Sequence, residues 1–199
     1  MRRTGLLLSI LFLWFLGSVA ALARPTIVID AGHGGHDRGG VPGVRYAEKT
    51  YALDVARRLS SRLRSEGFRT VMTRSGDYFV SLSGRCAIAN RQSNAVFVSV
   101  HFNAAPRRSA DGIETYYYGR SASSLAASVH KRVVSAAGTE NRGVRRRSFY
   151  VLRNTRCPAI LVEGGFLSNP AEGARIARSA THRQRLADAI ASGIIARYR

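Results

Sequence analysis

Residues 95–101, AVFVSVH, form a nearly continuous apolar run that ends at a histidine, His101. Such a run is typical of a strand buried on both faces of a sheet. Two further strands are predicted at residues 26–31 (TIVIDA) and 159–163 (AILVE), and a polar side chain lies at or just beyond the end of each. In open α/β sheets, sites lie at the carboxyl ends of the strands, so the sequence predicts a functional site at this edge.

Strand segments alternate with segments of helical periodicity along the rest of the chain. In the first helical segment, residues 48–66, apolar side chains recur on one face and Gly67 ends the helix. Further helices are predicted at residues 82–94 and 121–137. Two more are predicted near the C-terminus, one that begins at residue 170 with Asn169 as its cap and one that begins at a capping box at Thr181. Further strands are predicted at residues 68–73, 112–118 and 149–152. This alternation predicts an α/β, single-domain layered fold, with a twisted, mostly parallel or mixed sheet of about six strands flanked by helices.

Residues 1–23 are predicted to be a secretory signal peptide, which leaves residues 24–199 as the mature domain. A basic start at Arg2 and Arg3 precedes an apolar stretch, and Ala21-Leu22-Ala23 supplies the small residues of a cleavage site. The alternative is a membrane anchor, although a span needs about 20 apolar residues and this stretch is short. We expect cleavage, a location in the periplasm, outside the cell or in the cell wall, and a membrane contact only if the segment stays uncut.

The net charge of +19, almost all from arginine, predicts attraction to polyanions such as nucleic acid, anionic lipid or acidic wall polymers. Export argues against nucleic acid as a partner. The arginines of the first helix are interpreted as a solvated surface, so charge is assigned a helping role. Cys86 and Cys157 either pair as a disulfide or remain small buried side chains, and the sequence leaves both possibilities open.

Four polar residues at the predicted sheet edge form a candidate metal site. His33 lies in a glycine-rich loop after the first strand, Glu48 opens the first helix, and His101 ends a buried strand. Two imidazoles and a carboxylate form a ligand set for catalytic zinc, with a fourth position left for water. Glu163, followed by two glycines, is the candidate base that accepts the proton of that water. Spacing alone is a weak argument here, because no His-Glu-x-x-His motif is present.

In these residues the chain resembles the zinc-dependent N-acetylmuramoyl-L-alanine amidases, amidase family 3. The segment IVIDAGHGGHDRGG is similar to the first ligand motif of that family, AEKTYALDVARRL to the following helix, FVSVHFNA to the third motif and PAILVEGGFLSNPAE to the fourth. In this resemblance His33, Glu48 and His101 fall on the zinc ligands. Glu163 falls on the catalytic glutamate. The likeness covers nearly all of residues 24–199, and four motifs in order are more specific than one.

The resemblance implies a catalytic amidase domain that acts on peptidoglycan. Such enzymes hydrolyse the amide between the lactyl group of N-acetylmuramic acid and the L-alanine of the stem peptide, with zinc polarising the carbonyl and the water and Glu163 carrying the proton. The departures from the family pattern, at Ala31, Phe102 and Gly164, remove no ligand. Some relatives carry a long insertion after the third motif that blocks the site until an activator acts. Residues 102–111 are too short for it, so we expect no obligatory activator, and we expect a monomer.

Residues near the predicted site receive secondary roles. Asp30 either orients His33 or caps the glycine loop. Asn103 and Glu114 are expected to line the cleft, and Arg85 is expected to pair with a carboxylate. Surface positions in a loop or on helices are expected for the remaining histidines, namely His36, His130 and His182.

Two alternatives to the amidase remain at this point. A zinc peptidase that cuts peptide bonds in the stem or in a protein would use the same ligands. A non-catalytic wall-binding protein with an amidase fold is the second alternative, although such proteins usually lack a ligand or the base, and all four residues are present here.

Overall fold

The computed structural model describes residues 24–41 and 43–199, so the predicted signal peptide at 1–23 lies outside the described residues. A mixed six-stranded sheet forms the centre of the domain. Its strands are β1 (Thr26–Ala31), β2 (Thr70–Met72), β3 (Ala95–Asn103), β4 (Ile113–Tyr117), β5 (Asn141–Arg146) and β6 (Ala159–Phe166). They lie in the order β2-β1-β3-β6-β4-β5.

Parallel pairing prevails in the half of the sheet that carries the predicted motifs. Strand β1 pairs in parallel with β2 and β3, and β3 pairs in parallel with β6. Strand β4 runs antiparallel to β6 and parallel to β5. The carboxyl ends of β1, β3 and β6 therefore meet at one edge, and the predicted α/β fold with a mixed sheet of about six strands is confirmed.

Helices cover both faces of the sheet. They are α1 (Glu48–Ser65), α2 (Leu82–Asn90), α3 (Ser123–Ala137), α4 (Tyr150–Arg153), α5 (Pro170–Arg178) and α6 (Ala180–Tyr198), with a 3-10 turn at Arg120–Ala122. The larger apolar core contains side chains of α1, α3, α5 and α6, and the smaller core contains side chains of α2 and α4. Alternation along β3 explains this division, because Val96 and Val98 face the larger core and Phe97 faces the smaller one. Among the described residues, no helix combines the length and the apolar character that a membrane span requires.

One predicted element is wrong and one strand was not predicted, and both lie where short segments are locally ambiguous. Residues 149–152 were predicted as a strand, but Tyr150–Arg153 form the short helix α4, which turns Val151 and Leu152 into the smaller core. Strand β5 was not predicted. Its sequence, NRGVRR, is mostly polar because it lies at the edge of the sheet and pairs with β4 alone.

The cap of the last helix also differs from the prediction. Asn169 caps α5 as expected and accepts from the backbone N–H groups of Ala171 and Glu172. Helix α6, however, is capped by Ser179 rather than Thr181, because the Ser179 backbone is extended and its hydroxyl accepts from the N–H of His182. The helix therefore starts one residue before Thr181.

The structure decides three expectations about individual side chains. His130 and His182 are buried, not on helix surfaces. His130 makes hydrogen bonds to Thr115 (3.0 Å) and Asn141 (2.7 Å), and these explain how the polar ring is accommodated. Both cysteines are free thiols: Cys86 is buried and Cys157 is half-buried.

Candidate metal centre

The loop after β1 presents His33 at the sheet edge. His33 has a left-handed backbone with φ of 58°, and Gly34 and Gly35 after it also have positive φ. Backbone hydrogen bonds in both directions between Gly34 and Asp37 close the turn. At Gly32, a Cβ atom would overlap the ring of His101, so glycine is required for the β1 loop and the β3 histidine to lie this close.

Glu48 is the first residue of α1 and is buried, with a relative exposure of 3%. Its two carboxylate oxygens accept from backbone N–H groups of separate segments: Oε2 from Gly40 at 3.0 Å and Oε1 from Phe102 at 3.0 Å. The helix N-terminus also favours the ionised carboxylate. Helix α1 therefore places a fixed negative charge beneath the two histidines.

His33, Glu48 and His101 converge on one point. Glu48 lies between the rings, with Oε2 3.0 Å from Nε2 of His33 and Oε1 2.8 Å from Nδ1 of His101. The ring centroids of the two histidines are 4.9 Å apart. One donor atom from each of the three residues lies within 4.8 Å of the others, so residues far apart in the sequence form a single donor cluster.

The pKa values of the three cluster residues are shifted from their ordinary values. Burial by itself raises the pKa of Glu48, but hydrogen bonds from His101 and His33 outweigh it and lower the pKa to about 2. For His101, burial lowers the pKa, yet the hydrogen bond and charge of Glu48 raise it to about 9. The pKa of His33 is raised as well, because Glu48 again outweighs the effect of burial. Metal ligands must be deprotonated, so a divalent cation bound between this carboxylate and the two imidazoles would compete with protons for the site.

Glu163 faces this cluster from the adjacent strand. It lies on β6 directly beside His101 on β3 in the sheet register. Among the described residues, its buried Oε2 atom has no hydrogen-bond partner. Burial, followed by the charges of Glu48 and Glu114 against the opposing effect of His101, raises the pKa of Glu163 to about 8. An orphaned carboxylate oxygen of this kind is suited to proton transfer.

A cleft of about 520 Å³ opens above the cluster. His33, His101 and Glu163 line it together with Asn103, while an apolar wall is provided by Phe79, Leu82, Phe149 and Tyr150. The side chains of His33 and His101 are 23% and 18% exposed, so the donor cluster is reached from solvent.

Asp30 lies beneath the site in a buried network, and its partners differ from both predicted ones. Its carboxylate accepts from Thr73 (2.6 Å), Ser99 (2.7 Å) and Arg85 (2.7 Å). In the described part of the chain, neither the His33 ring nor a backbone N–H of the glycine loop is hydrogen-bonded to it, so Asp30 reaches His33 through Arg85. The expected carboxylate partner of Arg85 is present.

Asn103 and Glu114 form a second polar group next to Glu163. Asn103, which lines the cleft, donates to Oε2 of Glu114 at 2.8 Å. The same oxygen accepts from the hydroxyl of Tyr116 at 2.5 Å, and Oε1 accepts from Arg142 at 3.2 Å. Glu114 lies beside Glu163 in the sheet, so its charge acts on Glu163 across the strand pair.

Two residues that contribute to the centre were not singled out in the sequence. Asp37 accepts from or donates to Nδ1 of His33 at 2.8 Å, according to protonation, and so fixes the ring from the side opposite Glu48. Arg74 is fully buried and donates to the carbonyl oxygens of Ala31 and Gly32. The only sequence signal for Asp37 was a charged residue next to the glycine-rich loop, and the only signal for Arg74 was a charged residue after a short predicted strand.

The donor set fits a divalent metal ion. It offers imidazole nitrogen and carboxylate oxygen, which suit zinc chemically, and it supplies three protein ligands beside an open cleft. The His33 ring is held at its second nitrogen by a carboxylate, as is usual for metal-bound histidine. Glu163, whose Oε2 atom has no hydrogen-bond partner among the described residues, lines the same cleft.

Fold and site together define an α/β domain with a candidate His-Glu-His metal centre at the carboxyl edge of its sheet. The model of the N-acetylmuramoyl-L-alanine amidase family matches residues 27–196 of this chain. The chain therefore belongs to the N-acetylmuramoyl-L-alanine amidase family. The predicted family is confirmed, and with it the predicted enzyme class.

This chain is similar to several known proteins, two of which are amidases by name. YqiI of Bacillus subtilis (strain 168) is 38% identical over 191 residues, which cover 92% of this chain and 91% of YqiI. The N-acetylmuramoyl-L-alanine amidase LytC of the same strain is 34% identical over 87% of this chain, but the chain spans only 36% of LytC. Among solved structures, the catalytic domain of the amidase CwlV from Bacillus (Paenibacillus) polymyxa var. colistinus matches with a TM-score of 0.83 and 36% identity. The match covers 88% of this chain and 100% of that domain.

Proposed function

We propose that this chain hydrolyses the amide bond between N-acetylmuramic acid and the L-alanine of the peptidoglycan stem peptide. The observation that carries the proposal is the convergence of His33, Glu48 and His101 within 4.8 Å beside the unpartnered carboxylate oxygen of Glu163. Membership of the amidase family supports the choice of bond.

In this proposal His33, Glu48 and His101 hold zinc. Zinc supplies, when bound, Lewis acidity toward the amide carbonyl and the attacking water. Asp37 holds the His33 ring through Nδ1, so that Nε2 faces the common point of the cluster. The hydrogen bonds from Gly40 and Phe102 hold the Glu48 carboxylate in place, which limits how far the ligand can turn.

Glu163 transfers the proton. Its carboxyl group lies on β6 beside His101, and its pKa is raised to about 8, so it can accept a proton and return it near neutral pH. It takes the proton from the attacking water and gives it to the leaving nitrogen of L-alanine. Glu163 lines the metal cleft, and its buried Oε2 atom has no competing hydrogen-bond partner among the described residues.

Export and independence from an activator belong to the same proposal. The domain of residues 24–199 acts in the periplasm, outside the cell or in the wall after removal of residues 1–23, and N-terminal sequencing of the exported protein checks the cut. Only residues 104–112 connect β3 to β4, and both ligand histidines are partly exposed. These features support an enzyme that works without an activator protein, and a monomeric state is part of the same proposal.

Mass analysis of digested cell walls tests the proposed bond. Purified sacculi treated with the zinc-loaded protein should release intact stem peptides that begin with L-alanine, and should leave glycan chains without peptide. A zinc peptidase would instead release peptide fragments and leave L-alanine attached to the glycan. A non-catalytic wall-binding protein would release neither.

A further inference from the structure

A second cleft lies beside the metal cleft at the carboxyl edge of the sheet. It has a volume of about 440 Å³. Val41 lines both clefts, and the segment that follows β3 continues from one to the other: Ala104 lines the metal cleft and Ala105 lines its neighbour. Hydrogen bonds hold this connection in place, from the N–H of Leu167 to the carbonyl of Asn103 (2.8 Å) and from the N–H of Ala105 to the hydroxyl of Ser168 (3.0 Å).

Three arginines line the second cleft, which we call the arginine cleft. Arg45 precedes α1, Arg108 lies between β3 and β4, and Arg178 ends α5. All three are exposed. No acidic residue lines this cleft, and among the described residues none of the three guanidinium groups lies within 4.0 Å of a carboxylate.

Several other arginines of this basic chain are paired with carboxylates within the fold. Arg58 and Arg183 pair with Asp54, Arg142 pairs with Glu114, and Arg175 pairs with Glu172. The arginine cleft is therefore a concave surface where positive charge from three separate segments is gathered without a protein counter-charge. Such a surface concentrates anionic groups next to the metal centre.

The two sides of the metal centre differ in chemistry. Val44, Tyr46 and Leu167, which line the arginine cleft, pack against the larger core on the α1, α3 and α6 face of the sheet. The apolar wall of the metal cleft lies toward the other face, where Leu82 opens α2 and Tyr150 opens α4. A bound substrate thus meets positive charge on one side of the metal centre and exposed apolar side chains on the other.

We propose that the arginine cleft binds the carboxylates of the stem peptide. This inference rests on the proposed amidase function, and it adds the direction in which the substrate lies. A peptide attached through its N-terminus to the lactyl group ends in a free carboxylate, whereas the lactyl carboxyl is consumed in the amide and carries no charge. Guanidinium groups bind carboxylates with paired hydrogen bonds, so the peptide half lies on the arginine side and the uncharged glycan half lies toward the apolar wall.

Two soluble substrates and two matched variants test the subsite. One substrate is a muramyl peptide with free carboxylates, and the other is the same compound with its peptide carboxyls converted to amides. The cleft variant carries Arg45→Gln, Arg108→Gln and Arg178→Gln. The control variant carries Arg91→Gln, Arg120→Gln and Arg185→Gln, which removes the same charge from exposed positions that line neither cleft.

The zinc-loaded cleft variant should show a KM for the carboxylate substrate raised about tenfold, because three exposed charge contacts are lost. Its KM for the amidated substrate should change less than threefold, so that the preference of the wild type for free carboxylates disappears. The control variant should keep that preference. Thermal unfolding midpoints of both variants near that of the wild type would show that the fold is intact.

Three results would overturn the inference. Equal rises in KM for both substrates, or equal losses in both variants, would mean that the arginine cleft does not recognise peptide carboxylates. In either case an active enzyme would leave the proposed function standing. A wild type that cleaves neither the soluble substrates nor purified sacculi would remove the proposed function and the subsite together.

Discussion

Arg85 donates a hydrogen bond of 2.7 Å from Nη2 to the carbonyl oxygen of His33. The same buried guanidinium donates to Asp30 at 2.7 Å and to the carbonyl oxygen of Ala31 at 2.6 Å. One charged side chain on α2 thus joins the end of β1 to the residue that we propose as the first metal ligand. His33 has a left-handed backbone, which is uncommon for residues other than glycine. The hydrogen bond from Arg85 therefore stabilises an unfavourable backbone conformation at this residue.

Replacement of Arg85 should weaken both the fold and the metal centre. Arg85→Lys offers a single ammonium group where four hydrogen bonds from a planar fork are now made. The free energy of unfolding of the metal-free protein should fall by about 3 kcal/mol in urea titrations, as for a broken buried ion pair. Zinc affinity, measured by competition with a chelator, should fall about tenfold or more.

The matched control for this variant is Arg58→Lys, at a partly exposed arginine that pairs with Asp54 on the surface of α1. It should change the unfolding free energy by less than about 1 kcal/mol. An Arg85→Lys protein with wild-type zinc affinity would show that the hydrogen bond to His33 has no part in positioning the ligand.

Asp37 should act on the metal through the His33 ring. The Asp37 carboxylate lies 2.8 Å from Nδ1 of His33, on the side of the ring away from Glu48. Asp37→Asn keeps the shape but removes the charge, so zinc affinity should fall about 10-fold to about 100-fold in chelator competition. Asp188→Asn, on α6 and 45% exposed, is the control. Equal zinc affinities for the two variants would contradict this role.

Glu163 should be required for turnover and dispensable for metal binding. Glu163→Gln preserves the size of the side chain but cannot transfer the proton, so the rate of amide hydrolysis should fall about 100-fold to about 10,000-fold. Zinc content, measured on the same sample, should equal that of the wild type. The exposed Glu140 provides the control Glu140→Gln, with wild-type rate and zinc content. If Glu163→Gln retains most of its activity, another group carries the proton.

His182 should make the domain less stable in mild acid. Burial, together with the charges of Arg175, Arg185 and Arg183, lowers the pKa of His182 to about 4, against an ordinary value of 6.5. Between pH 6.5 and 4 the unfolded chain binds a proton at this residue that the folded chain does not. The free energy of unfolding therefore decreases as the pH falls through this window, and the loss is complete below it.

A comparison of two variants isolates the contribution of His182. His182→Leu should lose less unfolding free energy than the wild type between pH 6.5 and 4 in urea titrations at a series of pH values. His36→Gln, at an exposed loop position, should follow the wild type. An identical pH dependence for His182→Leu and the wild type would show that His182 is not held neutral by the fold.

The sequence was sufficient to predict that His33, His101 and Glu163 lie near one edge of the sheet, whereas the choice of Glu48 and the proposed roles depended on the family resemblance. The apolar runs of β1, β3 and β6 predict buried parallel strands, and their carboxyl ends must share one edge. Local patterns failed where tertiary packing decides. Residues 149–152 have the composition of a strand, but Val151 and Leu152 fill the smaller core as part of α4. Strand β5 forms because β4 offers an edge to pair with.

The supporting residues of the centre were harder to predict than the donors. From the sequence, the partner of Asp30 could be either the His33 ring or the backbone of the glycine loop. Its charged partner, Arg85 on α2, is brought close only by the fold. Arg74 and Asp37 carry no pattern that separates them from the many other charged residues. The three arginines of the arginine cleft come from segments more than 60 residues apart and likewise require the folded chain.

X-ray absorption at the zinc edge of the zinc-loaded protein tests the central claim most directly. Two imidazoles and oxygen donors should surround zinc at about 2.0–2.2 Å, with no sulfur. The imidazole signal should drop to one ring in His33→Ala and in His101→Ala. A thiolate at about 2.3 Å from Cys86 or Cys157, or a signal that neither histidine variant changes, would contradict the proposed metal centre.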